Sequence, residues 1–240
     1  FEFTELAKKD INACAILTND ITVNEIEFDN AGNPTREDFK EWIPIGNDSV
    51  AYNGTFDGAN HAIRGIYLVN TKLDYIGLFS HIDSLGVVKN LTIKDSYIKG
   101  HQFNGFVCGH NKGTIKNCRN YGTIGYANDY SGGIVGLNEK DVLSCVNYGQ
   151  ITAEGGICGM NKGMISECTN YGNVSTGNYF AGICGTQKEG TISKCLNYGS
   201  IGFKSNSCTY IAGICGEMDN GSIINCLNAG IINKKNSYIP

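Results

Sequence analysis

Gly155-Gly156-Ile157-Cys158-Gly159, then Met164-Ile165-Ser166-Glu167-Cys168, then Asn170-Tyr171-Gly172, is the fullest copy of a unit that returns through the second half of this chain. Superposing the copies on the second cysteine aligns Cys118, Cys145, Cys168, Cys195 and Cys226, at steps of 27, 23, 27 and 31 residues. Self-similarity at such periods marks a solenoid, in which each unit buries its apolar face against its neighbours.

The columns decide which solenoid. Three residues before each cysteine stands Ile115, Val142, Ile165, Ile192 or Ile223, and six after it Ile124, Ile151, Val174, Ile201 or Ile232. All are β-branched, and no intervening segment keeps an apolar i, i+3, i+4, i+7 pattern, which excludes helical repeats. The expected fold is all-β: a parallel β-helix with irregular coils of 23 to 31 residues. Two more columns follow the cysteine: Asn120, Asn147, Asn170, Asn197 and Asn228, then Gly122, Gly149, Gly172, Gly199 and Gly230. They read as a corner, with Asn tolerating left-handed backbone and bonding the next Asn amide, and Gly relieving the turn. Tyr121, Tyr148, Tyr171 and Tyr198 between them would stack on the outside.

Working outward, Thr4 caps an expected short helix through Cys14, with Leu6, Ile11 and Cys14 turned inward to plug the open end of the stack. This divides the chain into a cap at 1–19 and one β-helix domain at 20–240, with irregular coils over 20–103 and regular repeats over 104–240. No comparable helix closes Ile231 to Pro240, which leaves either a longer parent protein or a partner at that end. The chain opens at Phe1 without a Met or a signal-peptide pattern, as a processed or trimmed chain does, so the lack of a targeting segment carries no weight. With 32 Gly and 3 Pro in 240 residues, it suits many tight turns without a Pro-rich linker. A net charge of −4 gives no footprint for nucleic acid. Apolar runs such as Ile211 to Cys215 fall far below the roughly 20 residues a spanning helix needs, so no membrane insertion by this segment is expected.

The eleven cysteines include no Cys-x-x-Cys pair, which argues against a zinc ribbon, and no metal or cofactor is expected. Val135 and Phe79 stand where other coils carry Cys, so cysteine there reads as a small buried hydrophobe and a reduced thiol. Disulfides between adjacent coils are the alternative. Cys208 lies off both columns and is the candidate exposed or intermolecular thiol.

Trp42-Ile43-Pro44-Ile45-Gly46, the stretch from Tyr52-Asn53-Gly54-Thr55-Phe56-Asp57-Gly58 to Gly65-Ile66-Tyr67, Ile76-Gly77-Leu78-Phe79 and Val88-Lys89-Asn90-Leu91 resemble the run found in GLUG-repeat proteins. The boxes Gly132 to Gly136 and Gly155 to Gly159 are similar to that family's namesake motif. Cysteine in the boxes at Cys108, Cys184 and Cys215 departs from it. The resemblance implies a right-handed β-helix in a secreted or cell-surface bacterial protein. It extends to modules of adhesin-like proteins and to regions accompanying immunoglobulin A-cleaving metallopeptidases, whose zinc site is a separate His-Glu-x-x-His helix. His61, His81, His101 and His110 are scattered and form no such motif, so that activity does not carry over.

Polysaccharide lyases and hydrolases also use β-helices and need clustered carboxylates. Asp57, followed by His61 and Arg64, is the best acidic candidate, although a turn role accounts for it. Glu139, Asp141, Glu154, Glu167 and Glu189 form no acidic column. The coils differ in length within Gly125 to Ser131, Ser175 to Phe180 and Gly202 to Ile211, so recognition is expected on this insertion face. Phe103, Tyr130, Tyr179 and Tyr210, with Asn128 and Asn178 beside them, are the candidate ligand-binding residues, able to stack on sugar rings. The alternative is that they fold back and shield the sheet. Three readings follow: a noncatalytic extracellular or cell-surface module, for adhesion to glycans or surface proteins or as a spacer; a structural subunit assembling end to end; and a β-helix carbohydrate-active enzyme.

Overall fold

The computed structural model describes residues 7, 10–126, 130–175, 178–202 and 210–233, and the chain forms a β-solenoid whose strands pair in parallel with the coils above and below. Two sheets have eight strands and a third has six. The first aligns Ile115, Val142, Ile165, Ile192 and Ile223 rung on rung, and the first four are fully buried. The six-stranded box sheet runs from Phe79–Ile82 through Cys108–Asn111, Val135–Asn138, Cys158–Asn161 and Cys184–Gln187 to Cys215–Met218. The third sheet carries the Asn column, and a shorter edge pairs Tyr67–Val69, Tyr97–Lys99 and Thr123–Ile124. Stacking like on like gives one continuous core of β-branched residues, cysteines and a few large aromatics.

The Asn column is a buried amide ladder. Asn120 Nδ2 donates to Asn147 Oδ1 at 2.8 Å, Asn147 to Asn170 at 2.8 Å, Asn170 to Asn197 at 2.8 Å and Asn197 to Asn228 at 2.7 Å. Each amide of the first three also closes its own turn, as when Gly122 N donates to Asn120 Oδ1 at 2.8 Å. The left-handed backbone lies elsewhere than expected, on the residue before each cysteine: Asn117, Ser144, Glu167, Lys194 and Asn225, with φ of 52 to 58°. Nor do the column glycines relieve a turn, since Gly122, Gly149, Gly172, Gly199 and Gly230 all lack positive φ. A Cβ on Gly149 would strike the Gly122 carbonyl oxygen, and one on Gly172 the Gly149 oxygen, so close approach of successive coils demands Gly.

A second amide ladder, absent from the sequence reading, runs up the box sheet. Asn111 donates to Asn138, Asn138 to Asn161 and Asn161 to Gln187, each at 2.8 Å and fully buried. Its signal was an amide three residues after the box position in four successive copies.

Thr4 and Leu6 fall outside the described residues. Ala7 is buried in the core, but the helix expected to reach Cys14 does not do so. The Asp10 side chain accepts the Asn12 N–H at 2.9 Å, Ala13 N donates to Asp10 O, and Cys14 is exposed. Such local side-chain bonds compete with helix. The stack itself begins at Ala15–Ile16, paired with Thr55–Asp57, inside the stretch read as cap. Between these rungs, residues 24–44 leave the stack as an insert that lies on the outer side of the edge formed by Tyr67–Val69 and Tyr97–Lys99.

Candidate functional site

The insertion face is built by loops that fold back over the box sheet. Tyr75, Phe103 and Tyr130 all have left-handed backbone, φ 58, 55 and 63°, and each lays its backbone on the box glycine of the next coil. A Cβ on Gly109 would collide with Tyr75, on Gly136 with Phe103 and on Gly159 with Tyr130. The turn throws the three rings into one stack, with centroids 4.9 Å apart for Tyr75 and Phe103 and 5.1 Å for Phe103 and Tyr130. Tyr179 and Tyr210 form a second stack at 5.1 Å, on strands Tyr179–Ala181 and Tyr210–Ala212 that pair in register. In the shortest coil Ala153 holds the aromatic's place. There the Glu154 side chain packs over Gly185, and its carboxylate accepts the Tyr130 N–H at 2.9 Å.

Four candidate ring residues thus share one face, in two stacks. Asn178 is exposed beside Tyr179, while Asn128 lies outside the described residues, as does Cys208. The stacking restricts their chemistry. Neighbouring rings about 5 Å apart occupy each other's faces, so within a stack only ring edges and hydroxyls are presented to a partner. The same holds for the corner row, where Tyr121, Tyr148, Tyr171 and Tyr198 stack at 4.5, 5.1 and 5.2 Å and are 41 to 47% exposed.

Under Tyr75 the structure gathers two of the four histidines that lie scattered along the sequence. His81 and His110 are register partners on adjacent rungs, with rings 5.2 Å apart, and Tyr75 lies 4.9 Å from the first and 5.6 Å from the second. Burial, reinforced by the neighbouring imidazole, pushes His81 down to about 4. Burial also lowers His110, against the pull of Glu139, whose Oε2 stands 3.5 Å from its Nε2. Both are neutral at physiological pH. Their signal was a His two residues after the box position in both coils.

Asp57 is held as a turn carboxylate. It accepts the Ala59 N–H at 2.8 Å and Asn90 Nδ2 at 3.0 Å, with Lys89 Nζ at 3.2 Å, and these bonds hold it below the usual carboxylate range. His61 and Arg64 turn instead to Asp20, at 3.3 and 3.8 Å, and Arg64 also meets Asp95 at 2.8 Å. Among the described residues no three His, Cys, Asp or Glu side chains are grouped to hold a metal ion. The described cysteines are free thiols, buried from Cys108 to Cys195. Bonding to Cys145 and burial raise Cys118, and burial raises Cys145, Cys168 and Cys184, so these thiols stay protonated and unreactive. No described helix is long and apolar enough to cross a membrane.

No family model matches the chain. It is 33% identical over 84 residues, 34% of its length, to Halomucin of Haloquadratum walsbyi, and 34% identical over 79 residues, 32% of its length, to a protein of Evansella cellulosilytica described as a Gly-rich membrane protein. Those matches span 1% and 9% of the two relatives. Among solved structures, a protein from Bacteroides ovatus described as an immunoglobulin A1 protease superposes with a TM-score of 0.68 at 17% identity, over 92% of this chain and 70% of that one. At that identity the likeness is one of fold.

Proposed function

We propose that this chain is a noncatalytic module of a cell-surface protein: a rigid solenoid arm that spaces other domains from the cell and carries adhesion on its insertion face. The observation that carries this reading is the unbroken pair of buried amide ladders, which locks successive coils into one register and makes a stiff rod. The GLUG-type resemblance, the halomucin-like and membrane-protein segments, and the turn role of Asp57 support it. Because stacked rings offer edges and hydroxyls, the partner is a glycan or surface protein read by hydrogen bonding at the rim of the ladder. The test is a glycan, mucin and immunoglobulin A1 array with the purified chain beside a Tyr130→Ala/Tyr179→Ala/Tyr210→Ala variant. Binding that the variant loses, with every substrate left intact, is the expected result, and cleavage of any substrate would overturn the noncatalytic reading. Absence of binding in both proteins would leave the spacer role alone.

A further inference from the structure

The insert at 24–44 makes a cavity against the solenoid edge. Its base is clasped by Asn24, whose Nδ2 donates to Lys40 O at 2.9 Å and Gly65 O at 2.8 Å, and whose Oδ1 accepts the Lys40 N–H at 3.0 Å. Its tip is shaped by Asp29, which accepts the Ala31 and Asn33 N–H groups at 2.9 and 2.8 Å, and by the Phe28–Pro34 bridge. A small second core of Ile26, Phe39, Tyr67 and Tyr97 fastens the insert to the solenoid. Phe39 packs on Tyr67 at 5.1 Å, and Tyr67 on Tyr97 at 6.3 Å.

Between insert and sheet lies a cleft of about 230 Å³, whose lining includes Asn33, Pro34, Glu37, Tyr67, Tyr97 and Lys99. The two tyrosines are 4% and 7% exposed, and among the described residues neither hydroxyl makes a hydrogen bond. Burial raises both phenols, with Glu37 adding to each, so they remain protonated donors at neutral pH. Lys99 and Glu37 likewise enter no ion pair with the described residues. Neither phenol oxygen is sealed away from solvent, so both open toward the cleft that their side chains line.

We propose that this cleft binds a neutral pyranose, as one residue of a glycan, with the Tyr67 and Tyr97 hydroxyls, Lys99 and Asn33 donating to sugar oxygens and Glu37 accepting sugar hydroxyl protons. The volume falls below the roughly 300–1,000 Å³ of sites for larger ligands, which suits a single ring. Glu37 balances Lys99 in the lining, and the Glu41 and Asp29 carboxylates that act on Tyr67 and Tyr97 add negative charge nearby, which disfavours anionic sugars. Pro34 faces the C–H side of the ring. This site goes beyond the adhesive reading above and shares no residue with the insertion face.

The test is saturation-transfer difference NMR of the purified chain with methyl glucoside, galactoside, mannoside and N-acetylglucosaminide, and with glucuronic and N-acetylneuraminic acids. The expected result is transfer to at least one neutral glycoside, with affinity reduced tenfold or more in Tyr67→Phe, Tyr97→Phe and Glu37→Gln, and retained in the Tyr130/Tyr179/Tyr210 triple variant. Should a buried variant fail to fold by circular dichroism, Glu37→Gln decides, because Glu37 is exposed on the insert. No transfer at millimolar glycoside, binding of the acids alone, or binding indifferent to all three variants would overturn the proposal.

Discussion

The coils before Gly105 and those after it solve the same problem differently. In the later coils each rung repeats its neighbour: β-branched residues over β-branched residues, thiol over thiol, amide bonded to amide. In the earlier ones, single large side chains close the core. Tyr52 and Phe79 pack at 4.7 Å, Phe56 meets Phe79 edge-on at 5.7 Å, and Trp42 Nε1 donates to Leu78 O at 3.2 Å. Ile93 and Ile82 stand where the two amide ladders would otherwise continue. Repetition spreads cohesion evenly but makes every coil alike, whereas one-off contacts allow an insert and a cleft, with a histidine pair where the two kinds of coil meet. Distinct chemistry has gathered where the repeat is broken.

The sharpest way to break this contrast is inside a ladder. Asn147→Leu keeps the number and branching of side-chain heavy atoms but strands the Gly149 N–H and removes one bond each from the Asn120 and Asn170 amides. At about 1–3 kcal/mol for each buried group left without a partner, the expected loss is about 4 kcal/mol by urea denaturation. Asn120→Ile, which extends the Ile93 rung by one, removes only the ladder's end and is expected to cost about 1–2 kcal/mol. Equal losses at the two positions would show that the ladder is not cooperative.

Where the two sets of coils meet, His81 and His110 give the stack a pH dependence of their own. His81 titrates near 4 in the folded chain against 6.5 when free, so the unfolded chain binds more protons between those values. Stability is therefore full above about pH 6.5 and falls as pH drops toward 4, by about 3 kcal/mol for a 2.5-unit difference. Tyr75, Asp48, Lys112 and Glu139 surround the pair, and the rest of the chain's carboxylates titrate equally in any variant. His81→Leu/His110→Leu, copying Leu137 on the next rung, is expected to flatten the difference between pH 6.5 and 4.5 in thermal melts. An unchanged pH slope would mean that these imidazoles are solvated.

What could be read from the sequence followed the same divide. The parallel stack, its columns and its insertion face were legible because each residue type recurs at one position, and periodicity reports what is shared. The left-handed residue was misplaced because Asn117, Ser144, Glu167, Lys194 and Asn225 have little in common as side chains, so only backbone geometry reveals them. The box-sheet amides and the histidine pair recur at fixed offsets in the same copies but are masked by the stronger Gly and Cys signals beside them. The insert and its cleft had no periodicity to report: Glu37, Tyr67 and Lys99 are brought together by long-range contacts that no local pattern encodes.

The smallest effect expected tests whether an exposed ladder contributes cohesion or only surface. Tyr171 stacks on Tyr148 at 5.1 Å and on Tyr198 at 5.2 Å, with both planes within 9°, yet it is nearly half exposed. Tyr171→Ala removes two ring contacts worth about 0.5–1.5 kcal/mol each beyond burial, partly regained because its neighbours' newly bared faces are solvated. The expected loss is about 1 kcal/mol, well below that of Asn147→Leu one column away. Because cohesion in a solenoid is a sum of neighbour terms, the loss should be local, raising amide exchange in the flanking rungs and leaving Phe56 and Ile93 protected. A loss as large as the amide variant's would shift the weight of the stack from its buried ladders to its surface.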